Sequence, residues 1–341
     1  MRLDFLSLAV LFYSMQVDLA ITELQGEPLN EVAVRAESLG YDNFWLTELW
    51  GENTFVQLTE IAHRTEEIGL GTSIVNVYSR SPAVLAMTAA ALDRVSNGRF
   101  TLGTGVSTKK VIEDLHGMSF DQPIRRAHET IELFNKFTAG DGERVYYDGE
   151  LIDVADFPAL EASVPVYHAG LGPANRRVVG RLADGWLPHN IPISELDEAF
   201  ETIADTAEAN GRDPDDITVA PYLPTAASED REEARETLRR HIAYYVSSGE
   251  GYRKAASMRF EEEVKRVNEA WNSGDRAQAA EEVTEEMIDN LGAAGSPEEV
   301  RDALQSLVEE TVADRPIIVI PDPASDELRD ETIEHLAPDK F

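Results

Sequence analysis

The chain contains no cysteine, and this absence excludes disulfide bonds, thiolate metal sites and cysteine nucleophiles. Uninterrupted apolar runs of about 20 residues, the length that spans a bilayer, are also missing. The sequence has no HExxH pattern, and its histidines show no ligand spacing. We therefore expect neither a membrane-spanning segment nor a metal site.

Basic residues are scarce. The 341 residues include 64 acidic and 30 basic side chains, which give a net charge of −34, and only six of the basic residues are lysine. No long basic stripe stands out, so nucleic-acid binding is not expected. A charge of this size repels itself and weakens the compact state in dilute salt. The composition therefore predicts a halophilic protein from a salt-rich cytoplasm.

The first residues resemble a signal peptide only superficially. The run LDFLSLAVLFY, residues 3–13, is interrupted by Asp4, and no convincing small-residue cleavage site follows it. The segment that begins at Met15, MQVDLAIT, already makes a complete first strand. We interpret residues 1–14 as an extension outside the native protein and residues 15–341 as one domain.

Strand and helix signals alternate along most of the chain. Eight strand-like segments are separated by helices or helical patterns, which favours a closed (β/α)8 TIM barrel in the α/β class over an open sheet. The predicted strands cover residues 16–22, 43–47, 70–77, 99–102, 164–169, 184–187, 217–223 and 316–320. The predicted helices include residues 29–39 and 55–68, and a capping box starts another at Ser296.

The composition changes between residues 225 and 295, where charged helical segments follow one another without strand signals. We interpret this segment as a helical insertion after the seventh strand. A lid over the barrel, a dimer contact and a solvated structural cap are three alternatives that the sequence leaves open.

Two acidic residues follow the first two predicted strands. Function in a barrel lies at the carboxyl ends of the strands, so Glu23 and Glu48 could act as acid or base groups. In so acidic a chain Glu23 is better explained as a solvent-facing loop carboxylate. Glu48 directly follows the apolar run FWLT and is equally compatible with both interpretations.

Two glycine-rich loops follow predicted strands. The loop 169–175 enters a helix whose first turn carries Arg176 and Arg177, which favours phosphate binding over a tight turn with surface ion pairs. The loop 102–108 has two glycines of a dinucleotide fingerprint, but Thr108 stands in place of the third. A Rossmann domain is therefore disfavoured.

The sequence resembles the bacterial-luciferase-like superfamily over about residues 16–224 and 296–320. The resemblance is closest to its deazaflavin branch, methylenetetrahydromethanopterin reductase and other enzymes that depend on coenzyme F420. It is carried by four motifs in order: LGYDNFWLTEL, AHRTEEIGLGTSIVNVYSRSPAVLA, LDRVSNGRFTLGTGVS and VYHAGLGPANRRVVGRLADGW.

The resemblance implies a barrel, usually dimeric, that binds a flavin or deazaflavin at the carboxyl ends of its strands. It implies a non-prolyl cis peptide bond in strand three, here Ser73-Ile74. The same resemblance implies which residues contact each part of the cofactor. Asn76 is expected at its ring, Val106 and Ser107 along its side chain, and His189 at its tail. The residues expected at its phosphate are Gly170, Leu171, Gly172, Ala174 and Asn175.

Two departures from the family pattern limit the transfer of chemistry. A Thr/Ser-Asp-His pattern after strand two becomes Thr47-Glu48-Leu49, so the proton-donating histidine of the sugar-phosphate dehydrogenases is missing. Thr108 stands where those enzymes have a catalytic glutamate. Glu48 is the best remaining catalytic acid near the expected ring.

The sequence thus predicts an F420-dependent oxidoreductase that transfers hydride to or from an organic substrate, as a cytoplasmic homodimer. The first alternative is a luciferase-like monooxygenase that uses FMN and oxygen. The second is a barrel that has lost catalysis and binds a ligand or partner, because fold does not fix function.

The acidic composition makes a prediction about salt. We expect the melting temperature to rise from low to multimolar KCl, because concentrated cations screen the repulsion among carboxylates. Differential scanning calorimetry over a KCl series measures this directly. A melting temperature that stays constant or falls would contradict the halophilic assignment.

Overall fold

A computed structural model describes residues 15–22, 27–51 and 53–341. The predicted extension 1–14 and the candidate acid Glu23 lie outside the described residues.

The main sheet is parallel and follows the predicted strand order. Its strands are β1 Asp18–Ile21, β2 Asn43–Leu46, β3 Gly69–Thr72, β4 Val75–Asn76, β5 Phe100–Gly105, β8 Val166–His168, β9 Gly185–Trp186, β10 Thr218–Val219, β11 Tyr222–Ala227, β12 Ala293–Gly295 and β13 Ile317–Val319. A separate antiparallel pair comprises β6 Arg144–Asp148 and β7 Asp153–Pro158. The segment GDGERVYYDGELIDV, for which the sequence predicts a small hairpin or an extended excursion, thus forms a hairpin.

β10 and β11 together form the seventh strand of the barrel, and the sheet closes at this strand. Thr218 pairs with Gly185 of β9, whereas Tyr222 pairs with Ile317 of β13, and β13 pairs in turn with β1. Pro221, which has no N–H to donate, lies between the two segments. Each segment also bonds to the other neighbour: Asp314 N–H donates to the Val219 carbonyl, and Tyr222 N–H donates to the Pro188 carbonyl. The predicted (β/α)8 TIM barrel is confirmed.

Helices cover the outside of the barrel. They are α1 Leu29–Ser38, α2 Thr54–Ala62, α3 Pro82–Val95, α4 Pro123–Phe137, α5 Pro173–Leu182, α6 Leu196–Ala209, α7 Arg231–Ser248, α8 Glu250–Ala256, α9 Glu261–Ser273, α10 Arg276–Glu281, α11 Glu285–Leu291, α12 Pro297–Glu310 and α13 Asp326–His335. The predicted capping box is present at α12, where the Ser296 and Glu299 side chains each accept a hydrogen bond from the other's backbone N–H.

The second helix is shorter than the predicted range 55–68. It ends at Ala62, and the following turn is held by Arg99, which donates to the carbonyls of Ala62, Thr65 and Ile68. A distant arginine therefore satisfies carbonyl groups at the end of this helix.

Strand three is also interrupted, because a cis peptide bond joins Ser73 to Ile74 between β3 and β4. The predicted position of this bond is confirmed. Two glycines of β5 allow that strand to lie close to the backbone on either side of this peptide bond. A Cβ built on Gly103 would lie 1.7 Å from the Thr72 carbonyl oxygen, and one on Gly105 would lie 2.9 Å from Ile74 Cδ1. The GxG pattern serves this close approach.

The insertion is helical, as predicted, and comprises α7 to α11. The expectation that it lacks strands is wrong, because β12 pairs with the end of β11 in the register Thr225–Ala293 to Ala227–Gly295. The short Ala-Ala-Gly sequence of β12 has no strand pattern, and tertiary pairing alone makes it a strand. The insertion has its own apolar core, to which Leu238, Ile242, Val264 and Met287 contribute.

The amino-terminal end of the barrel contains one buried carboxylate. Asp18 is fully buried, forms an ion pair with Arg315 at 3.1 Å and accepts hydrogen bonds from Asn43 at 2.9 Å and Trp45 at 2.8 Å. Burial outweighs these favourable contacts and raises the pKa of Asp18 to about 6.

This raised pKa makes a prediction about stability. The native state holds the Asp18 proton more tightly than the unfolded chain, so the contribution of Asp18 is full at low pH and is lost as pH rises through about 6. The stability of Asp18→Asn relative to wild type should therefore increase by about 1–3 kcal/mol between pH 4 and 7. Urea unfolding in concentrated KCl measures this difference. Asp205→Asn on exposed α6 is the control, and an equal slope in both variants would contradict the prediction.

Candidate active site

Side chains from four strand ends meet at the carboxyl end of the barrel. The Thr47 hydroxyl donates to the Ser73 carbonyl at 2.9 Å, and its oxygen lies 3.0 Å from the Tyr222 hydroxyl. The ring of His189 lies 5.1 Å from that of Tyr222. Two predicted cofactor residues, Ser73 and His189, thus lie near Tyr222 at this end of the barrel, which we call the mouth. Burial raises the pKa of Tyr222, which keeps its hydroxyl protonated.

Asn76 lies beyond the cis peptide bond and is buried. Its Oδ1 accepts from the backbone N–H groups of Tyr78 and Ser79, at 3.0 and 2.8 Å, and its Nδ2 lies 3.0 Å from His116 Nε2. The side chain thus fixes the turn after strand three. The adjacent predicted residues Val106 and Ser107 follow Gly105, which accepts a hydrogen bond from Val77 N–H at 3.1 Å.

The loop after strand five is held by a buried histidine. His168 is fully buried, with Nδ1 at 2.9 Å from the Thr104 hydroxyl and Nε2 at 2.9 Å from Asn175 Oδ1. Burial lowers its pKa to about 4, so the ring is neutral near pH 7. The Asn175 amide also donates to the Ala169 carbonyl at 3.3 Å. His168 therefore fixes the predicted phosphate residue Asn175 at the start of α5.

Arg176 follows directly and lacks a carboxylate partner. It is only 5% exposed, and its guanidinium reaches Met258 Sδ at 3.4 Å. Among the described residues its Nε has no hydrogen-bond partner. Burial lowers the pKa of Arg176, and the charge of Glu198 partly offsets this effect. A buried cation without a hydrogen-bonded carboxylate is costly, so this position favours an anionic ligand.

The loop that contains Gly170, Leu171 and Gly172 leads into α5, whose first turn includes Ala174. The Gly170 carbonyl accepts from Trp186 Nε1 at 2.8 Å, and a Cβ on Gly170 would lie 3.0 Å from the backbone of Asn175. The side of Gly172 is open, because a Cβ there would meet nothing within 4 Å. Free space beside a helix start suits a bound anion.

The insertion covers this mouth. Tyr245 of α7 and Tyr252 of α8 lie 4.8 and 5.1 Å from the ring of His189. A Cβ on Gly251 would lie 3.7 Å from Leu171 Cδ1. The insertion thus contacts the predicted cofactor loops, as a lid would.

Two buried polar side chains lie unpaired beneath this cover. Among the residues that the structure describes, His189 Nε2 and both amide atoms of Asn190 have no hydrogen-bond partner. Burial lowers the pKa of His189 to about 3, so its ring is neutral. Unpaired buried groups are costly in a folded protein, and a ligand in the mouth would satisfy them.

The Glu48 carboxylate forms an ion pair with an arginine. Its two oxygens accept from the two terminal nitrogens of Arg80, at 2.6 and 2.7 Å, and both side chains are largely buried. The Arg80 guanidinium also lies 5.0 Å from the ring centre of Phe55. The bidentate pair fixes the carboxylate at the end of strand two.

The described ranges contain no group of three or more acidic or histidine side chains arranged to hold a metal ion. In the same part of the chain, no helix is long and apolar enough to cross a membrane.

Several residues of this mouth were missed by the sequence analysis. Tyr222 belongs to no motif that the sequence analysis quotes, and its position at the start of β11, opposite Ile317, is a result of strand pairing. The tyrosines of the insertion fall outside the region of resemblance. His168 lies within a quoted motif, VYHAGLG, and its position before the glycine loop was the available signal.

Comparison with known proteins identifies the family. The model of the family described as luciferase-like monooxygenase matches residues 11–315. The chain belongs to this family. It is 30% identical over 293 residues to 5,10-methylenetetrahydromethanopterin reductase of Archaeoglobus fulgidus, covering 83% of this chain and 87% of that protein. A putative coenzyme F420-dependent oxidoreductase of Mycobacterium tuberculosis is 26% identical, with 80% and 84% covered.

A solved structure supports the same fold. The coenzyme F420-dependent tetrahydromethanopterin reductase of Methanopyrus kandleri superposes with a TM-score of 0.78 at 23% identity, covering 94% of this chain and 98% of that one. The predicted superfamily and enzyme class, an oxidoreductase of the luciferase-like type, are confirmed. The roles of individual site residues stay predictions.

His168 gives a test of how the site is built. His168→Leu should lower the free energy of unfolding by about 1–3 kcal/mol, because it leaves the buried Thr104 hydroxyl and Asn175 Oδ1 without their partner. Chemical denaturation in concentrated KCl measures the loss. His63→Leu on the exposed end of α2 is the control. A loss below about 0.5 kcal/mol would show that the two hydrogen bonds do not hold the loop.

Proposed function

We propose that this protein is a coenzyme F420-dependent oxidoreductase that transfers hydride between the deazaflavin and an organic substrate. The main supporting observation is Arg176, a buried guanidinium in the first turn of α5 that has an unpaired Nε among the described residues and directly follows the glycine loop. Such a position fits the phosphate of a cofactor. The relatives named as F420-dependent enzymes support deazaflavin as that cofactor.

The residues present fit such a group. Among the described residues, three features of the mouth offer space or hydrogen-bonding groups to a ligand. They are the open side of Gly172, the unpaired Arg176 Nε and the unpaired polar atoms of His189 and Asn190. When bound, the deazaflavin would supply the hydride-accepting or hydride-donating carbon. The residues that we propose to hold it are Ser73, Ile74, Asn76, Val106, Ser107, Gly170, Leu171, Gly172, Ala174, Asn175 and His189.

Glu48 remains our candidate for the catalytic group. Of its two proposed roles, ordering the substrate and relaying a proton, the contact with Arg80 favours the first, since both carboxylate oxygens already accept hydrogen bonds. Tyr222 is the better-placed proton carrier, because its protonated hydroxyl lies among Thr47, Ser73 and His189.

A fluorescence titration in multimolar KCl tests the function. Coenzyme F420 and FMN are added separately to the purified protein, and Arg176→Gln serves as the matched variant. We expect tight binding of F420, weak binding of FMN and at least tenfold weaker F420 binding by the variant, since a charge-assisted contact is lost.

Two other outcomes would replace the proposal. A preference for FMN would favour an FMN-dependent monooxygenase that incorporates oxygen, for which the family name is the supporting observation. Binding of neither cofactor would favour a non-catalytic barrel.

Glu48 makes a separate prediction. In an assay that follows F420 absorbance, Glu48→Gln should lower turnover about tenfold or more and leave the Kd for F420 within about twofold, because the residue orders substrate and does not hold the cofactor. Glu60→Gln on α2 is the control for an exposed, paired glutamate. Unchanged turnover would remove Glu48 from the mechanism.

We also propose a homodimer in a salt-rich cytoplasm. A surface groove of about 500 Å³ between α2 and α3 is lined mainly by apolar side chains, among which Val56, Val84 and Met87 are 69%, 45% and 48% exposed. On so acidic a protein, an apolar patch of this kind fits a twofold contact with a second copy.

The dimer is tested by light scattering in multimolar KCl. We expect wild type to have the mass of a dimer and Met87→Arg to shift toward the monomer, because a buried unpaired charge would face the contact. Met118→Arg, at an exposed methionine outside the groove, should keep the dimer. A monomeric wild type would overturn this proposal.

A further inference from the structure

The loop after β5 leads into a short π-helix. Residues 106 and 107, which we propose to hold the cofactor, are followed within a few residues by this helix, Val111–Leu115. Thr108 holds its start, because the Thr108 hydroxyl accepts from Val111 N–H at 3.3 Å and the Thr108 carbonyl accepts from Ile112 N–H at 3.1 Å. π-Helices are rare and are found frequently at functional sites. This one ends beside another proposed cofactor residue.

His116 lies at the end of the π-helix and reaches strand three. Its backbone N–H donates to the carbonyl of Val111, five residues earlier, at 3.3 Å, which is the hydrogen bond of a π-helix. Its ring Nε2 lies 3.0 Å from Asn76 Nδ2, and Asn76 is only 3% exposed. The π-helix thus joins the turn after strand three to the loop after strand four.

The other hydrogen bonds of Asn76 fix the direction of this contact. Asn76 Oδ1 accepts from the backbone N–H groups of Tyr78 and Ser79, so the atom that faces His116 is Nδ2, which can only donate. His116 Nε2 must therefore be the acceptor. A neutral histidine ring carries one proton, and here that proton is on Nδ1.

Ile112 makes a second attachment between the π-helix and the same turn. It is fully buried and packs in one apolar cluster with Val77 and Tyr78. The charged residues of this segment form exposed ion pairs on the helix itself, as Lys110 does with Asp114 at 2.9 Å. Exposed pairs of this kind contribute little to stability. Ile112 therefore holds the helix against the turn, and His116 supplies the polar contact.

The contact with His116 completes the fixation of the Asn76 amide. Asn76 follows the cis peptide bond Ser73-Ile74 by two residues, and its oxygen already holds the turn that comes next. Because an amide group is planar, the acceptor at Nδ2 also fixes the direction of the second hydrogen on that nitrogen. Without this acceptor a buried donor would lack its partner, which is costly.

We propose that His116 is a positioning residue for the cofactor and that it acts through Asn76. In its neutral form the ring holds the Asn76 amide, and with it the turn after the cis peptide bond, in the geometry that binds the deazaflavin. The inference rests on the proposed function, because it takes Asn76 to contact the deazaflavin.

Two substitutions of His116 test the inference by fluorescence titration of F420 in multimolar KCl. His116→Leu should raise the Kd for F420 about tenfold, because Asn76 Nδ2 loses its acceptor. His116→Gln should keep the Kd within about threefold of wild type, because the side-chain carbonyl of glutamine accepts the same hydrogen bond. His63→Leu, at the exposed end of α2, is the control and should not change the Kd. Melting temperatures establish that each variant is folded.

A double variant tests whether His116 acts through Asn76. Asn76→Ala removes the amide, so His116→Leu added to it should raise the Kd by less than about twofold, whereas independent residues would give the product of their separate effects.

Hydrogen exchange measures the positioning without the cofactor. The amides of Tyr78 and Ser79 donate to Asn76 Oδ1, and their exchange is followed by mass spectrometry of peptides that span residues 76–80. We expect exchange about fivefold faster in His116→Leu than in wild type, and close to the wild-type rate in His116→Gln.

Several results would overturn the inference: an unchanged Kd in folded His116→Leu, a loss that His116→Gln does not restore, or additive effects in the double variant. Faster exchange with unchanged F420 binding would show a contact that is only structural, and it would also overturn the inference. In each of these cases wild type still binds F420, so the proposed function stands. If wild type does not bind F420, the proposed function fails, and the assignment of His116 to the cofactor fails with it.

Discussion

Strand seven joins the two ends of the sheet, and the closure of the barrel depends on it. Its first segment pairs with β9 and its second segment pairs with β13. Each segment also bonds to the other neighbour, because Asp314 N–H donates to the Val219 carbonyl and Tyr222 N–H donates to the Pro188 carbonyl. The Tyr222 side chain reaches Thr47 after strand two, so the strand that closes the fold also contributes a group to the site.

Among the residues that the structure describes, the mouth contains polar groups without a partner. His168 and Asn175 satisfy one another, whereas Arg176, His189 and Asn190 retain unpaired donors or acceptors. Folded proteins pair most of their buried polar atoms, so those left unpaired beside the glycine loop and the mouth indicate where a ligand would bind. This argument is independent of the family comparison and reaches the same end of the barrel.

The strand order and the positions of the strand ends were predictable, because apolar strand segments and helix caps are local features. The length of α2 was not predictable, since the turn that ends this helix is held by Arg99, which lies just before β5 and is distant in the sequence. The strand β12 was not predictable either, because Ala-Ala-Gly has no strand pattern of its own. Likewise, the pairing of Glu48 with Arg80 joins residues whose separation in the sequence gives no signal.

The pairing of β12 with the end of strand seven has a consequence for how the site opens. The insertion leaves the barrel after Ala227 and returns at Ala293, and the strand segments at these two points pair with each other, with Thr225 opposite Ala293 and Ala227 opposite Gly295. The whole insertion therefore cannot swing about its base without breaking backbone hydrogen bonds. α8, which begins after Gly249 and places Tyr252 against His189, is not part of this paired base.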